Sequence, residues 1–264
     1  MNIDLSGKSA VVSGSTAGIG YAIARGLARA GAAVVLNGRT EERTRDAVAR
    51  LSREVEGADV ECAPADLTTP HGLQRLMDQV TDADILVNNL GIFEPKPFLD
   101  ITDADWERFF QVNVMSGVRL SRFYLPGMVL RGWGRVVFIS SESGVQIPAE
   151  MVHYGMTKTA QLALSRGIAE SVAGTGVTVN AVLPGPTRSE GVETFISAMA
   201  AAEGASRGEY EETFIQTQRP SSLIRRLAEV DEVANMVVYI CSKEASATTG
   251  AALRVDGGVV RSIV

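Results

Sequence analysis

Three polar side chains near the middle of the chain have types and spacing that suit acid–base chemistry at an oxygen atom. Lys158 follows Tyr154 by four residues, and Ser141 ends a strand-like run before the tyrosine. Residues four apart share one face of a helix, so the ammonium would lie beside the phenol. We expect this cation to lower the phenol pKa toward the range of a general acid or base at neutral pH. The Ser141 hydroxyl could hydrogen-bond the same substrate oxygen.

A glycine-rich segment near the start of the chain predicts a phosphate site. It follows the first apolar run and opens an apolar-periodic helix, and its residues include Gly14, Ser15, Thr16, Gly18, Ile19 and Gly20. Glycines allow a tight turn and a close approach of the backbone to a pyrophosphate, and the helix N-terminus favours the anion. The spacing is Gly-x-x-x-Gly-x-Gly rather than Gly-x-Gly-x-x-Gly. We therefore predict a dinucleotide cofactor at this loop.

The residues after the second apolar run indicate which dinucleotide binds. An acidic residue here would bind the ribose hydroxyls of NAD, but the sequence has Asn37-Gly38-Arg39-Thr40. Arg39 could pair with the 2′-phosphate of NADP, which predicts NADP(H). NAD(H) stays possible if Arg39 only pairs with a nearby surface glutamate. Asp66 and Leu67, after the third run, are predicted to lie beside the adenine ring.

The elements that must position these side chains can be read from seven short apolar runs. They alternate with amphipathic stretches of helix length and lie at 9–13, 32–37, 58–63, 85–88, 135–140, 177–182 and 251–255. This alternation predicts an α/β fold, a doubly wound (Rossmann-type) parallel sheet with helices on both faces. We expect residues 1–264 to form a single dinucleotide-binding and catalytic domain, because α/β chains of this length commonly do.

Two helical regions receive specific predictions. Thr102 to Asp105 resembles a capping box before a helix over Trp106 to Leu125, which Pro126 is predicted to end. The segment at about 187–226 breaks the strand–helix rhythm, and long insertions of this kind are often functional. We predict that it is a substrate lid, because apolar residues recur in it at helical spacing: Phe195, Ile196, Met199, Phe214 and Ile215.

Composition argues against several other classes of protein. The net charge of −6 leaves no basic footprint for nucleic acid. No uncharged apolar run is long enough for a membrane span and no secretion signal is visible, so we expect a cytoplasmic protein without a membrane partner. Cys62 and Cys241 are expected to be buried free thiols. His, Cys and Asp residues do not cluster with metal-ligand spacing, so no metal is predicted.

Taken together, these motifs resemble the short-chain dehydrogenase/reductase family over nearly the full length of the chain. The matching positions, in the order and spacing of the family, are the Gly14 to Gly20 loop, Asp66, Asn88 to Gly91, Asn113, Ser141, Tyr154, Lys158, Pro184-Gly185 and Val255 to Gly258. The resemblance implies a seven-stranded sheet and a homotetramer or homodimer. Leu90 stands where the family usually has Ala, and Ser189 where it commonly has Thr.

The resemblance also implies roles for individual residues. Asn89 and Gly91 would contact the cofactor ribose, while Thr187 and Ser189 would lie near the nicotinamide amide, beside Pro184 and Gly185. Lys158 would bind the nicotinamide ribose, and Asn113 would hold a water that links Lys158 to solvent. Tyr154 would be the catalytic acid or base.

The activity expected from these residues is NADP(H)-dependent interconversion of a secondary alcohol and a ketone or aldehyde carbonyl in a small-molecule substrate. An NAD-dependent sugar or polyol dehydrogenase and a 3-oxoacyl thioester reductase stay as alternatives. A cofactor-sensing scaffold is disfavoured, because both Tyr154 and Lys158 are present.

Overall fold

The structure is a computed structural model that describes residues 2–204 and 206–263. Its central feature is one seven-stranded sheet in which every neighbouring pair is parallel, in the order β3-β2-β1-β4-β5-β6-β9. The strands of this sheet are β1 (Ser9–Val12), β2 (Ala33–Gly38), β3 (Val60–Pro64), β4 (Ile85–Asn88), β5 (Gly134–Ile139), β6 (Val177–Pro184) and β9 (Ala252–Val255). A separate short pair consists of β7 (Thr187–Arg188) and β8 (Ala228–Glu229). The predicted doubly wound α/β fold is confirmed.

Helices cover both faces of the sheet and create two apolar cores. The helices are α1 (Gly18–Arg29), α2 (Glu41–Glu54), α3 (Pro70–Gln79), α4 (Asp103–Phe110), α5 (Ser116–Arg131), α6 (Val152–Ser171), α7 (Glu190–Glu203), α8 (Arg207–Gln218) and α9 (Val230–Cys241). Helices α1, α2 and α9 contribute to the core on one face, and α3, α5 and α6 to the core on the other. Strands β5 and β6 are buried along their whole length, as expected for strands covered on both faces.

The course of the chain along the sheet determines where a site can form. Strands β1 and β4 are neighbours, although β2 and β3 come between them in sequence and lie on the other side of β1. The chain segments that follow β1 and β4 therefore run in opposite directions along the sheet, which opens a crevice at the carboxyl ends of these two strands. The glycine loop follows β1, Asn89 follows β4, Ser141 lies just beyond β5, and Gly185 follows β6. All four therefore lie at the same edge of the sheet.

The helix predicted after Thr102 differs from expectation at its end. The capping box of Thr102 and Asp105 is present. Pro126, however, lies inside α5, so the prediction that it ends the helix is wrong. A proline removes one backbone hydrogen bond, but Tyr124 and Met128 on either side of it are buried in the core and hold the helix in place. The helix ends at Arg131, where Gly132 takes a left-handed conformation with φ of 67°.

The segment predicted to be a lid contains α7 and α8, which pack on each other around a small core of their own. The buried residues of this core are Ile196, Ala200, Tyr210, Ile215 and Leu227, with Phe195, Met199 and Phe214 partly buried against them. Cys241 is a buried free thiol as predicted, whereas Cys62 is only half-buried because it lies on an outer strand. In the described part of the chain, helices of the length and apolarity required to span a membrane are not found.

Candidate active site

The glycine loop after β1 disfavours side chains at three of its positions, two because of backbone conformation and one because of tight packing. Gly14 and Gly18 have φ values of 62° and 55°, in the left-handed region that favours glycine. A Cβ atom on Gly20 would stand 2.4 Å from the backbone oxygen of Gly14 and 2.4 Å from the side-chain nitrogen of Asn89. The loop therefore exposes backbone rather than side chains at the start of α1, which is the arrangement a pyrophosphate requires.

Two asparagines from neighbouring strands, together with a serine of the loop itself, hold this loop in place. Asn89 donates to the backbone oxygens of Ser13 and Gly14, at 3.0 and 2.9 Å. Asn37 accepts from the Gly14 amide and donates to Ala63 and Ala65, so its side chain is fully engaged in the fold. The hydroxyl of Ser15 donates to Val12. The structure thus gives Asn89 a clear part in shaping the loop, whereas its predicted contact with the ribose stays a prediction.

The predicted adenosine end lies at the carboxyl ends of β2 and β3. Arg39 is exposed directly after β2, and Thr40 caps α2 by accepting from the Arg43 amide. The Asp66 carboxylate accepts from the amide and hydroxyl of Thr68, so it caps its own loop, and Leu67 is buried. Thr16 accepts from Arg50 through its backbone oxygen. The structure places the exposed side chain of Arg39 at the predicted ribose position, and the segment from Asn37 through Thr40 has no acidic side chain.

Asn113 lies in one turn of π-helix, Gln111–Met115, between α4 and α5. Its side-chain amide donates to the Ile92 oxygen and the Thr157 hydroxyl, and its side-chain oxygen accepts from the Ile92 amide. Its backbone oxygen accepts from Gln161 at 2.6 Å, and Gln161 in turn accepts from the Lys158 ammonium at 3.3 Å. Gln161 therefore connects Lys158 directly to Asn113, whereas the predicted water that links Lys158 to solvent stays a prediction. Its position one helical turn after Lys158 could have identified it from the sequence.

Ser141, Tyr154 and Lys158 come together at the carboxyl end of β5, as the sequence predicts. Tyr154 and Lys158 lie on α6, where the ammonium is 5.6 Å from the centre of the phenol ring. The ammonium also donates to the Ile139 backbone oxygen at 2.8 Å, while the Ser140 hydroxyl donates to the Lys158 backbone oxygen at 2.8 Å. These contacts fix α6 against β5. The three functional side chains therefore line one cavity.

The pKa of Tyr154 contradicts the expectation from its spacing to Lys158. In this protein burial raises the pKa of Tyr154, and the negative charge of Glu142 raises it further, while the neighbouring polar Ser141 side chain and the charge of Arg219 act in the opposite direction. Burial also lowers the pKa of Lys158 to about 8. The prediction is wrong because desolvation disfavours the charged forms of both the phenol and the lysine, and for the phenol it outweighs the groups that favour the phenolate. The phenol is thus held in its protonated form, ready to donate a proton.

A charged cluster that the sequence did not predict lies beside these residues. Glu142 directly follows Ser141 and accepts a short hydrogen bond from its hydroxyl. Arg219, which follows α8, donates to Glu142 at 3.0 Å and to Glu150 at 3.4 Å. Only 5% of Glu142 and 8% of Arg219 is exposed, so this ion pair is buried. The sequence offered one signal, the adjacency of Glu142 to Ser141, but none that connects Glu142 to Arg219.

The cavity around these groups has a volume of about 440 Å³ and two chemically different ends. Toward the glycine loop it is lined by Ile19, Asn89, Gly91, Pro184, Gly185, Thr187 and Ser189. At the other end it is lined by the charged cluster and by aromatic side chains of α7 and α8. Phe93 makes edge contacts with Tyr154 and with Phe195, at ring-centre distances of 6.3 and 6.4 Å. Ser141, Tyr154 and Lys158, the residues predicted to be catalytic, lie between the two ends.

Comparison with known proteins identifies the family. The family model described as enoyl-(acyl carrier protein) reductase matches residues 14–260. This chain belongs to the short-chain dehydrogenase/reductase family. Among family members, the uncharacterized oxidoreductase YvaG of Bacillus subtilis is 48% identical over 263 residues, which is 100% of both chains. A D-beta-hydroxybutyrate dehydrogenase of Rhizobium meliloti is 36% identical and covers 95% of this chain and 98% of its own.

A solved structure of a further short-chain dehydrogenase/reductase is close in shape. L-Sorbose reductase from Gluconobacter frateurii, complexed with NADPH and L-sorbose, has a TM-score of 0.94 and 32% identity, covering 100% of both chains. The residues of the present chain fit a nicotinamide dinucleotide, because the loop at Gly14 and Gly20 excludes side chains and the cavity runs from Ile19 to Lys158. The family assignment and the local geometry therefore agree.

Proposed function

We propose that this protein is an NADP(H)-dependent oxidoreductase that interconverts a secondary alcohol and a ketone or aldehyde carbonyl of a small molecule. One observation carries the proposal: Ser141, Tyr154 and Lys158 line the same cavity as Asn89, Gly91 and Thr187. A substrate oxygen held by the first three would place its carbon toward the glycine-loop end. When bound there, the nicotinamide supplies a hydride to the carbonyl carbon or accepts one from the alcohol.

The chain's own residues handle the proton and the charge on oxygen. In the reducing direction, Tyr154 donates its phenol proton to the carbonyl oxygen as that oxygen gains negative charge, so one hydride and one proton convert carbonyl to alcohol. The Ser141 hydroxyl hydrogen-bonds the same oxygen and stabilises the developing charge. Lys158, anchored by Ile139 and Gln161, supports the phenolate that remains until it regains a proton from solvent.

A test of this function measures cofactor consumption directly. The purified protein is mixed with NADPH or NADH and with ketones, aldehydes, sugars, 3-oxoacyl thioesters and an enoyl thioester, and the loss of reduced-cofactor fluorescence is followed. We expect turnover with carbonyl compounds and a lower Michaelis constant for NADPH than for NADH. Turnover confined to the enoyl thioester, or no turnover with any carbonyl, would contradict the proposed reaction.

Arg39 is the residue that we propose selects NADP(H). It is exposed after β2, and a guanidinium pairs well with a 2′-phosphate. Arg39→Ala should raise the Michaelis constant for NADPH about 10-fold and leave that for NADH nearly unchanged. Arg53→Ala, which removes an exposed arginine from the last turn of α2, is the matched control. A wild-type preference for NADH would overturn this assignment.

Three wider features also belong to this proposal. Segment 187–226 acts as a substrate lid, supported by the α7 and α8 residues that line the cavity. The protein is a homodimer or homotetramer, supported by the exposure of Ala163 and Gly167 on α6, where a second helix could approach closely. We also propose that it acts in the cytoplasm. The alternative of a sugar or polyol substrate is favoured by the likeness to L-sorbose reductase and by the polar groups of the Glu142 cluster.

A further inference from the structure

The charged cluster of Glu142, Glu150 and Arg219 forms part of the substrate end of the cavity. The rest of that end is mostly apolar, with Phe93, Val192, Phe195, Met199 and Phe214 in its wall. A buried ion pair in an apolar wall is expensive to maintain, since both charges leave water. Such a pair can still be retained where it recognises a ligand. The chemistry of the ligand can be inferred from which atoms of the pair lose a partner when a substrate binds.

The Ser141 hydroxyl has one proton, and in this structure that proton goes to Glu142. During carbonyl reduction the same hydroxyl must donate to the substrate oxygen. The Oε2 atom of Glu142 then loses its hydrogen-bond donor, while Oε1 keeps the one from Arg219. A buried carboxylate oxygen without a donor is costly, so binding of a simple ketone carries a penalty.

A substrate can remove this penalty if it brings its own donor. The hydroxyl of Ser141 and the carboxylate of Glu142 are in direct contact, so two substrate oxygens that meet both groups must lie close together, as oxygens on adjacent carbons do. A hydroxyl next to the carbonyl meets this requirement: the carbonyl oxygen takes the Ser141 proton and the hydroxyl donates to Glu142. In the oxidising direction the same geometry fits a vicinal diol.

The charge of the cluster indicates that the substrate is neutral. Two carboxylates, Glu142 and Glu150, share the single guanidinium of Arg219, which leaves the cluster with one net negative charge. Arg219 also donates to the Gln218 backbone oxygen. A substrate carboxylate at this end would meet a cation that is already neutralised and two like charges. The cluster therefore disfavours keto acids.

We propose that Glu142, held by Arg219, is a specificity-determining residue that selects neutral substrates with a hydroxyl on the carbon next to the reacting carbonyl. This inference rests on the proposed carbonyl reduction, and it narrows the substrate to a class that includes simple hydroxyketones and neutral keto sugars. Glu142 acts by binding the substrate hydroxyl, while Arg219 acts only by orienting Glu142. The wall of aromatic side chains contacts the remaining carbon atoms.

Two matched pairs of substrates test the proposal on the wild-type protein. The first pair is 3-hydroxybutan-2-one and butan-2-one, which differ by the neighbouring hydroxyl. The second pair is methyl acetoacetate and acetoacetate, which present the same carbonyl without and with a charge. We expect kcat/KM to favour 3-hydroxybutan-2-one by about 10- to 100-fold, the range for a site left with an unpaired polar group, and to favour the neutral ester about 10-fold. A ratio near one for the first pair overturns the proposal.

Variants of the protein then test whether Glu142 is the cause of the preference for a neighbouring hydroxyl. Glu142→Gln keeps the size of the side chain but removes its charge, and we expect it to lower the ratio of kcat/KM for 3-hydroxybutan-2-one over butan-2-one about 10-fold, chiefly through a higher KM for 3-hydroxybutan-2-one. Because Glu142 also contacts Ser141 and raises the pKa of Tyr154, kcat changes for both substrates, and the ratio between the two substrates is the readout. Glu212→Gln, the same substitution at an exposed position of α8, is the control. Thermal unfolding and NADPH binding verify that each variant is folded; if Glu142→Gln does not fold, Glu142→Asp is measured in its place.

The outcomes separate this inference from the function on which it rests. An unchanged hydroxyl preference in a folded Glu142 variant overturns the role of Glu142. Faster reduction of acetoacetate than of its ester overturns the selection for neutral substrates. Failure to reduce any carbonyl compound in the wider screen contradicts the proposed function instead, because butan-2-one and acetoacetate carry the same reacting group without the features that Glu142 recognises.

Discussion

The two ends of the cavity are built in different ways. At the cofactor end the backbone of the glycine loop forms the wall of the cavity, and the Asn89 side chain holds Ser13 and Gly14 in place through hydrogen bonds. At the substrate end side chains form the wall, and they come from α7, α8 and the residues around Glu142. The cofactor end is attached to the large cores of the sheet, whereas α7 and α8 share a small core of their own. The shape of the cofactor end is therefore fixed by the main cores of the fold. The side chains of the substrate end can differ between proteins with different substrates without disturbing those cores.

The sharpest test of this contrast concerns the residue between the two ends. Tyr154→Phe removes the phenol proton while retaining the ring that contacts Phe93. We expect kcat to fall by about 10³-fold or more, because general acid catalysis is lost, while the dissociation constant for NADPH changes less than about threefold. Tyr239→Phe on α9 removes an equivalent hydroxyl far from the cavity and should keep full activity. A Tyr154→Phe protein with near-normal turnover would show that the proton comes from elsewhere.

The same contrast explains what the sequence could predict. The glycine loop, Tyr154 and Lys158 are recognisable because their function requires fixed spacing along one turn or one helix. The ion pair of Glu142 and Arg219 joins residues that are 77 positions apart, and its geometry depends on where α8 packs. The pKa of Tyr154 was predicted in the wrong direction for a related reason, since burial is a property of the whole fold. Local spacing predicted which side chains come together in the cavity, but tertiary packing determines their environment.

A second prediction concerns the stability of the two regions. The core between α7 and α8 is small, so these helices should open at a lower free energy than the buried strands β5 and β6. We expect backbone amides of α7 and α8 to exchange with deuterium about 100-fold faster than those of β5 and β6, and to slow when NADPH and a substrate are bound. Equal protection in both regions would contradict the proposal that segment 187–226 is a lid.

A third prediction measures how tightly the cofactor end is packed. Gly20→Ala would place a methyl group 2.4 Å from the Gly14 oxygen and the Asn89 amide, so we expect a loss of about 1–3 kcal/mol in unfolding free energy and weaker NADPH binding. Gly208→Ala is the matched control, because the described residues leave open space beside this exposed position of α8. That control should be neutral or stabilising by up to about 1 kcal/mol. If Gly20→Ala binds NADPH normally, the loop is looser than its packing indicates.

The smallest expected effect is a dependence of stability on pH that arises from Lys158. Burial lowers the pKa of this lysine in the folded protein to about 8, from an ordinary value of 10.5. Between these values the unfolded chain binds more protons than the folded one, so the contribution of Lys158 to stability increases with pH and is lost as pH falls through 8. The raised pKa of Tyr154 opposes this only above about pH 10, where a phenol in the unfolded chain ionises.

This dependence is isolated by comparison with Lys158→Met. The difference in unfolding free energy between the wild type and the variant should shift in favour of the wild type by about 1–2 kcal/mol from pH 8 to pH 9.5. Titration of Cys241, whose pKa burial raises to about 12, occurs in both proteins and cancels in the difference. Denaturant unfolding without cofactor at four pH values gives the slope. If the difference in unfolding free energy does not change with pH, Lys158 is as well solvated as a surface lysine. The part of the cavity between the cofactor end and the substrate end would then be open to water.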